Sequence, residues 1–135
     1  MRAVLDSNVL ISALVSPNGT PSRIVQRWLK GEFELIVSPN LLSEVERVLA
    51  YPKLRALASE LEVEEFVDLL RRTAVPAADG AAAPRTADTG DDYLVNLAEA
   101  SRAILVSGDR HLLDLGETLP IESPAAFLDR LTARE

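Results

Sequence analysis

The sequence predicts an α/β fold in which a parallel sheet is covered on both faces by helices. Three observations carry that expectation. Short apolar runs, RAVL (2–5), FELIV (33–37) and AILV (103–106), alternate with longer amphipathic stretches. Ser-Pro and Thr-Pro pairs stand where those stretches begin, and a cap followed by proline opens a helix. At 135 residues and 47% hydrophobic, the chain is sized for a single domain, 1–135, with a substantial core.

Taken in order, RAVL reads as a buried strand followed by a short helix from about Asn8 to Leu14. SPNGTP (16–21) is turn chemistry. Thr20-Pro21 then opens a helix ending near Gly31, with Ile24, Val25, Trp28 and Leu29 as its inner face. FELIV is the second strand, and Ser38-Pro39 starts a helix to about Ala50, ahead of Tyr51-Pro52. Residues 63–73 form another amphipathic helix carrying Phe66, Val67, Leu69 and Leu70, and AVP (74–76) is a short strand. AADGAAAPRTADTG (77–90) has no periodicity and reads as a mobile loop. A helix over 91–101, the strand AILV, the turn SGD, a last strand around Ile121 and a helix capped by Ser123-Pro124 complete the chain.

The chain has no cysteine, which excludes a disulfide scaffold and a thiolate metal site and fits a reducing cytoplasm. It offers no signal-peptide core and no run of 18 apolar residues, so a soluble, unexported protein with no membrane partner is expected. A net charge of −7 argues against broad electrostatic adhesion to nucleic acid. It leaves room for a nucleic-acid enzyme whose acidic pocket is neutralised by bound cations. SPNG lacks a following Gly-Lys-Ser/Thr, which argues against an NTPase.

The acidic residues suggest where a site would form. In a parallel sheet, ligands bind beyond the carboxyl ends of the strands. Asp6 directly follows the first strand and Asp109 follows AILV by three residues, so both are expected at one edge. On the third helix, Leu41, Leu42, Val45, Val48 and Leu49 mark the buried face. Glu44 lies about 100° from its centre while Arg47 points away, and Glu46 on the opposite flank stays open. Leu94, Val95 and Ala98 follow Asp91 at helical spacings, placing Asp91 on an inner face that Asp92 misses.

Singly, each acid has an ordinary role. Asp6 and Asp91 suit helix caps worth about 1 kcal/mol each. Glu44 suits a solvated flank and Asp109 a turn. Gathered together, four carboxylates form six repulsive pairs, each roughly 4 kcal/mol at about 4 Å and an effective dielectric of ~20. A small domain holds such a cluster only with protons or cations. Oxygen donors favour Mg²⁺ or Mn²⁺, and such a centre suits phosphodiester cleavage.

VLDSNVLIS, LLSEVERVL, DDYLVNLAEA and LVSGDRHLLDL, in that order and across nearly the whole chain, resemble the motifs of the PIN-domain family of metal-dependent nucleases. The resemblance implies a three-layer α/β/α sandwich with a central parallel sheet that cleaves RNA at an acidic Mg²⁺ or Mn²⁺ centre. Asp6, Glu44, Asp91 and Asp109 match the family's acids, which serve as catalytic residues and metal ligands. Ser7 and Asn8 match the small polar pair that orients the first acid. Asp88, Asp91 and Asp92 crowd together, so the third ligand stays open among them. Many members of this size are VapC-like toxins of toxin–antitoxin pairs and form homodimers. The implied partners are therefore an RNA substrate, a cognate antitoxin and a second copy of the chain.

Two other readings compete. A catalytically degenerate domain would bind RNA or protein without cutting, and predicts that one acid fails to reach the cluster. A phosphoaspartyl receiver or phosphatase would also gather acids at strand ends, but a receiver wants a late lysine, and Lys30 and Lys53 come too early. Arg23, Arg27 and Lys30 share one helix stripe, better read as a solvated face than as an RNA track. Arg110 is placed to meet a phosphate. His111, the one histidine, reads as structural or exposed, because two-metal hydrolysis needs no histidine base.

Overall fold

A computed structural model describes residues 1–79, 92–116 and 118–134, with the side chain of Asp92 left aside. Five strands, β1 (Arg2–Leu5), β2 (Glu34–Val37), β3 (Val75–Pro76), β4 (Ile104–Val106) and β5 (Ile121–Glu122), form one sheet in the order β3-β2-β1-β4-β5. Every pairing is parallel. The three-layer α/β/α sandwich is therefore present. The inner strands are apolar on both faces, as a sheet covered on both sides requires: Ala3, Val4, Leu5, Leu35, Leu105 and Val106 are all buried.

The described helices are α1 (Ser7–Val15), α2 (Thr20–Leu29), α3 (Pro39–Leu49), α4 (Pro52–Arg55), α5 (Glu60–Thr73), α6 (Asp92–Ala100), α7 (Arg110–Leu113) and α8 (Pro124–Ala133). Parallel neighbours need right-handed crossovers. The chain moves outward from β1 through β2 to β3, then returns to β4 and β5 on the other side of β1. Those opposite directions put the two sets of connections on opposite faces. α1 packs on α2 and α3, and α3 packs on α5. α6 lies against β1 and β4. The last helix, α8, returns to α2, where Phe127 meets Phe33 edge-to-face at 5.1 Å.

Local signals explain most element boundaries. Ser38 caps α3 through a hydrogen bond from the Leu41 amide, and Ser123 caps α8 through one from Ala126. Gly31 at φ 82° closes the α2 end in the left-handed conformation that a side chain disfavours. α5 begins three residues earlier than its apolar pattern suggests, because Ser59 and Glu62 form a reciprocal capping box. The single-turn helices α4 and α7 were not expected; four residues are too few to show a helical period. Leu29, placed on the inner face by pattern, is 50% exposed at the end of α2. Most of the loop read over 77–90 lies outside the described residues.

Candidate active site

The sheet order reverses direction beside β1, so β1 and β4 flank a topological switch point, where a parallel sheet leaves a crevice at its carboxyl edge. Asp6 and Ser107 are the residues that leave those two strands. The Asp6 amide donates to the Val106 carbonyl at 2.9 Å, continuing the ladder one step past the strands. The Asp6 carboxylate is therefore fixed at the lip of the sheet, only 5% exposed.

Asp6 stands at the N-cap position of α1 without making a side-chain cap hydrogen bond. Its oxygens are occupied by hydroxyls instead. Ser107 Oγ donates to Oδ2 at 2.7 Å and Ser7 Oγ donates to Oδ1 at 3.3 Å. Burial pushes the Asp6 carboxyl above its ordinary value; the Ser107 hydroxyl, then the Asn8 amide dipole, pull it back, and the Glu44 charge raises it again. The fold thus makes this carboxylate costly to ionise when nothing cationic is near.

Glu44 reaches the same edge from the flank of α3. It is half-buried, and its Oε2 accepts a hydrogen bond from the hydroxyl of Tyr93, in the first turn of α6. Glu46, the alternative from the opposite flank, pairs with Arg71 of α5 at 2.5 Å, and Arg47 bonds the Tyr51 hydroxyl in solvent. Packing therefore separates the two glutamates: one faces the sheet edge and the other faces α5.

Asp109 follows β4 as the N-cap of α7, its Oδ1 accepting from the His111 amide at 2.9 Å. Its own amide donates to Ser107 Oγ at 3.0 Å. Ser107 is fully buried and so links Asp6 to the Asp109 backbone through one hydroxyl. Among the described residues, no three acidic or histidine side chains converge closely enough to hold a metal ion. The Glu44 charge acts on Asp6, while Asp109 Oδ1 is turned to its helix cap. Asp91 and Asp88 lie outside the described residues. Asp92 opens α6.

Three site residues were not anticipated from sequence. Ser107 sat in what read as a plain Ser-Gly-Asp turn. Tyr93 carried a weak signal, four residues before buried Leu97 and therefore beside the inner face of its helix. Asp79 fell in a stretch with no pattern at all. Its Oδ2 accepts from the Asn40 amide at the start of α3 at 2.9 Å, and its Oδ1 is shielded from solvent with no hydrogen-bond partner among the described residues. Burial first, then the bond and charge of Glu44, then the charges of Asp6 and Asp79, push the Tyr93 phenol well above its ordinary range. One neutral hydroxyl thus stands within the field of three carboxylates.

The cationic stripe on α2 differs from expectation at Arg27. That side chain is 14% exposed and ion-paired with Glu32 at 2.6 Å. It therefore locks the α2 end to the entrance of β2. Arg110 and His111 are exposed at the start of α7. Among the described residues, no helix is long and apolar enough to cross a membrane.

The PIN-domain profile matches residues 2–111. An uncharacterized protein of Methanocaldococcus jannaschii, MJ1680, is 30% identical over 116 residues, spanning 85% of this chain and 75% of that protein. PAE2754 from Pyrobaculum aerophilum shares the fold at a TM-score of 0.68 and 17% identity, over 98% of this chain and 90% of its own. VapBC2 from Rickettsia felis, solved with a promoter DNA fragment, superimposes at a TM-score of 0.63 and 13% identity, over 91% of this chain and 98% of its own.

Proposed function

The chain belongs to the PIN-domain family, whose members are generally nucleases working with divalent metals, and from that premise we propose that it is a Mg²⁺- or Mn²⁺-dependent endoribonuclease. Asp6, Glu44, Asp91 and Asp109 are its proposed catalytic acids and metal ligands. The observation that supports this reading best is Asp6 itself. A carboxylate 5% exposed, held by two hydroxyls beside a second carboxylate at the sheet's switch point, has no structural partner of opposite charge among the described residues. A buried acid without a cation is a poor choice for stability and a good one for binding metal.

The donor chemistry fits a hard divalent cation. Every proposed ligand is a carboxylate oxygen, and the buried Asp6 carboxylate lacks a cationic partner among the described residues. Asp6 and Glu44 would hold the ion, with Asp109, whose α7 cap uses only Oδ1, and Asp91 as the further acids. A cation bound there supplies Lewis acidity and an activated water for phosphodiester hydrolysis. The chain's own residues do the positioning: Ser7 and Ser107 fix the Asp6 carboxylate, and Ser107 ties the Asp109 backbone to it. Arg110, exposed beside Asp109, is available to a substrate phosphate.

Within this reading the protein acts as the toxin of a toxin–antitoxin pair, as a homodimer in the cytoplasm, with a cognate antitoxin occluding the acidic edge. The VapBC2 fold likeness is the support for that partner. Purified protein is expected to cleave RNA with Mg²⁺ or Mn²⁺ and to stop with EDTA. Asp6→Asn should lose more than the roughly 10–100-fold typical of a residue one shell from the metal. Equal cleavage by Asp6→Asn and parent would refute the assignment.

One observation favours a second reading, a degenerate domain that binds RNA or protein without cutting. No three described acids converge, and Asp109 is engaged as a cap. Calorimetry with Mn²⁺ separates the two, because a working site must bind metal at this edge and a degenerate domain need not.

A further inference from the structure

The hydroxyl of Tyr93 serves no packing purpose that a phenylalanine ring would not serve equally. It belongs to α6, on the helical layer against β1 and β4, yet it donates across the carboxyl edge of the sheet to Glu44 Oε2 on α3, 49 residues away in sequence. Glutamate is a flexible ligand with three rotatable bonds, and α3 presents Glu44 only from its flank. Among the described residues, Oε1 of Glu44 has no hydrogen-bond partner. The carboxylate is thus held at one oxygen and open at the other.

We propose that Tyr93 is a positioning residue whose hydroxyl clamps one oxygen of Glu44 and leaves the other for a cation shared with Asp6. This rests on the metal-dependent reading above. A neutral donor suits the task better than a cation does. Lysine or arginine at this place would pair with Glu44 and compete with the metal for its charge, whereas a phenol fixes the carboxylate without neutralising it. Tyr93 touches neither substrate nor metal in this assignment; it acts through Glu44.

The test is calorimetric titration of Mn²⁺ into the parent, Tyr93→Phe and Tyr51→Phe, with thermal melts of each without metal. Tyr93→Phe keeps the ring and removes the donor. It should weaken Mn²⁺ binding about 10- to 100-fold while melting within a few degrees of the parent. Tyr51→Phe removes the only other tyrosine hydroxyl, at the start of α4, and should bind as the parent does. If the parent binds Mn²⁺ and Tyr93→Phe gives the same isotherm, the positioning role is overturned and the nuclease reading stands. A parent that binds no Mn²⁺ sinks the metal reading and this inference together. Should Tyr93→Phe fail to fold, NMR of the Tyr51→Phe protein decides. The Tyr93 hydroxyl proton should stay protected from exchange when Mg²⁺ is added, and its loss on loading would overturn the clamp.

Discussion

Ser107 shows how much one buried hydroxyl organises. Its Oγ donates to Asp6 and accepts from the Asp109 amide, so the residue that leaves β1 and the cap of α7 share a single atom between them. Ser107→Ala removes both bonds at once in a fully buried setting. Loss of a hydrogen bond to a charged group costs about 1.5–3 kcal/mol, and the variant should unfold at correspondingly lower urea. Because the hydroxyl also draws the Asp6 carboxyl down, its removal should raise that carboxyl further and, on the proposed reading, weaken Mn²⁺ binding at a given pH. A denaturation midpoint and Mn²⁺ isotherm both equal to the parent's would show that the hydroxyl organises nothing. In the sequence Ser107 was invisible as a site residue, since serine before Gly-Asp is ordinary turn chemistry. Asp6 was legible because a carboxylate at the end of an apolar strand runs against the local pattern.

At the scale of elements, helix ends decide where the acids stand. α3 is set by the Ser38 cap and by the Asp79 carboxylate on its Asn40 amide, and that registration puts Glu44 on the sheet side and Glu46 toward α5. The wheel drawn from sequence found the flanks correctly but had no means to choose between them. The choice depends on which neighbour each flank meets. α6 ends less comfortably: Arg102 adopts φ 53°, the left-handed conformation, as the chain turns into β4. A non-glycine residue there carries about 1 kcal/mol of strain, so Arg102→Gly should raise the melting temperature by about 2–5 °C. RNA cleavage should be unaffected, because the substitution lies at the far end of α6 from Tyr93. A melt unchanged or lowered would mean that the arginine contributes something its backbone does not reveal.

For the whole molecule, the site and the stability pull in opposite directions. The Asp6 carboxyl is raised in the fold, so between its unfolded and folded values the native state binds the extra proton. Its contribution to stability is present at acid pH and fades as pH rises through the folded value. The metal-free parent should lose stability over that window, and Asp6→Asn should lose less and melt higher at neutral pH. On the proposed metal-dependent reading, divalent metal should reverse the order. At about 100 times its dissociation constant, Mg²⁺ should add about 2.7 kcal/mol to the parent, add nothing to Asp6→Asn, and be cancelled by EDTA. An Asp6→Asn protein less stable than the metal-free parent at neutral pH would contradict this account of the buried acid.

The amino-acid sequence by itself determined the layered parallel fold, because strands buried on both faces and capped amphipathic helices are local patterns that few topologies satisfy. It also marked Asp6, Glu44 and Asp109 as acids at strand or helix edges. Only the tertiary structure decided that β1 and β4 lie side by side, and hence that Ser107 touches Asp6. Only it brought Tyr93 from one layer to Glu44 on the other, and Asp79 to the start of α3. Those contacts join residues dozens of positions apart. They follow from strand order and crossover geometry, which no local pattern encodes.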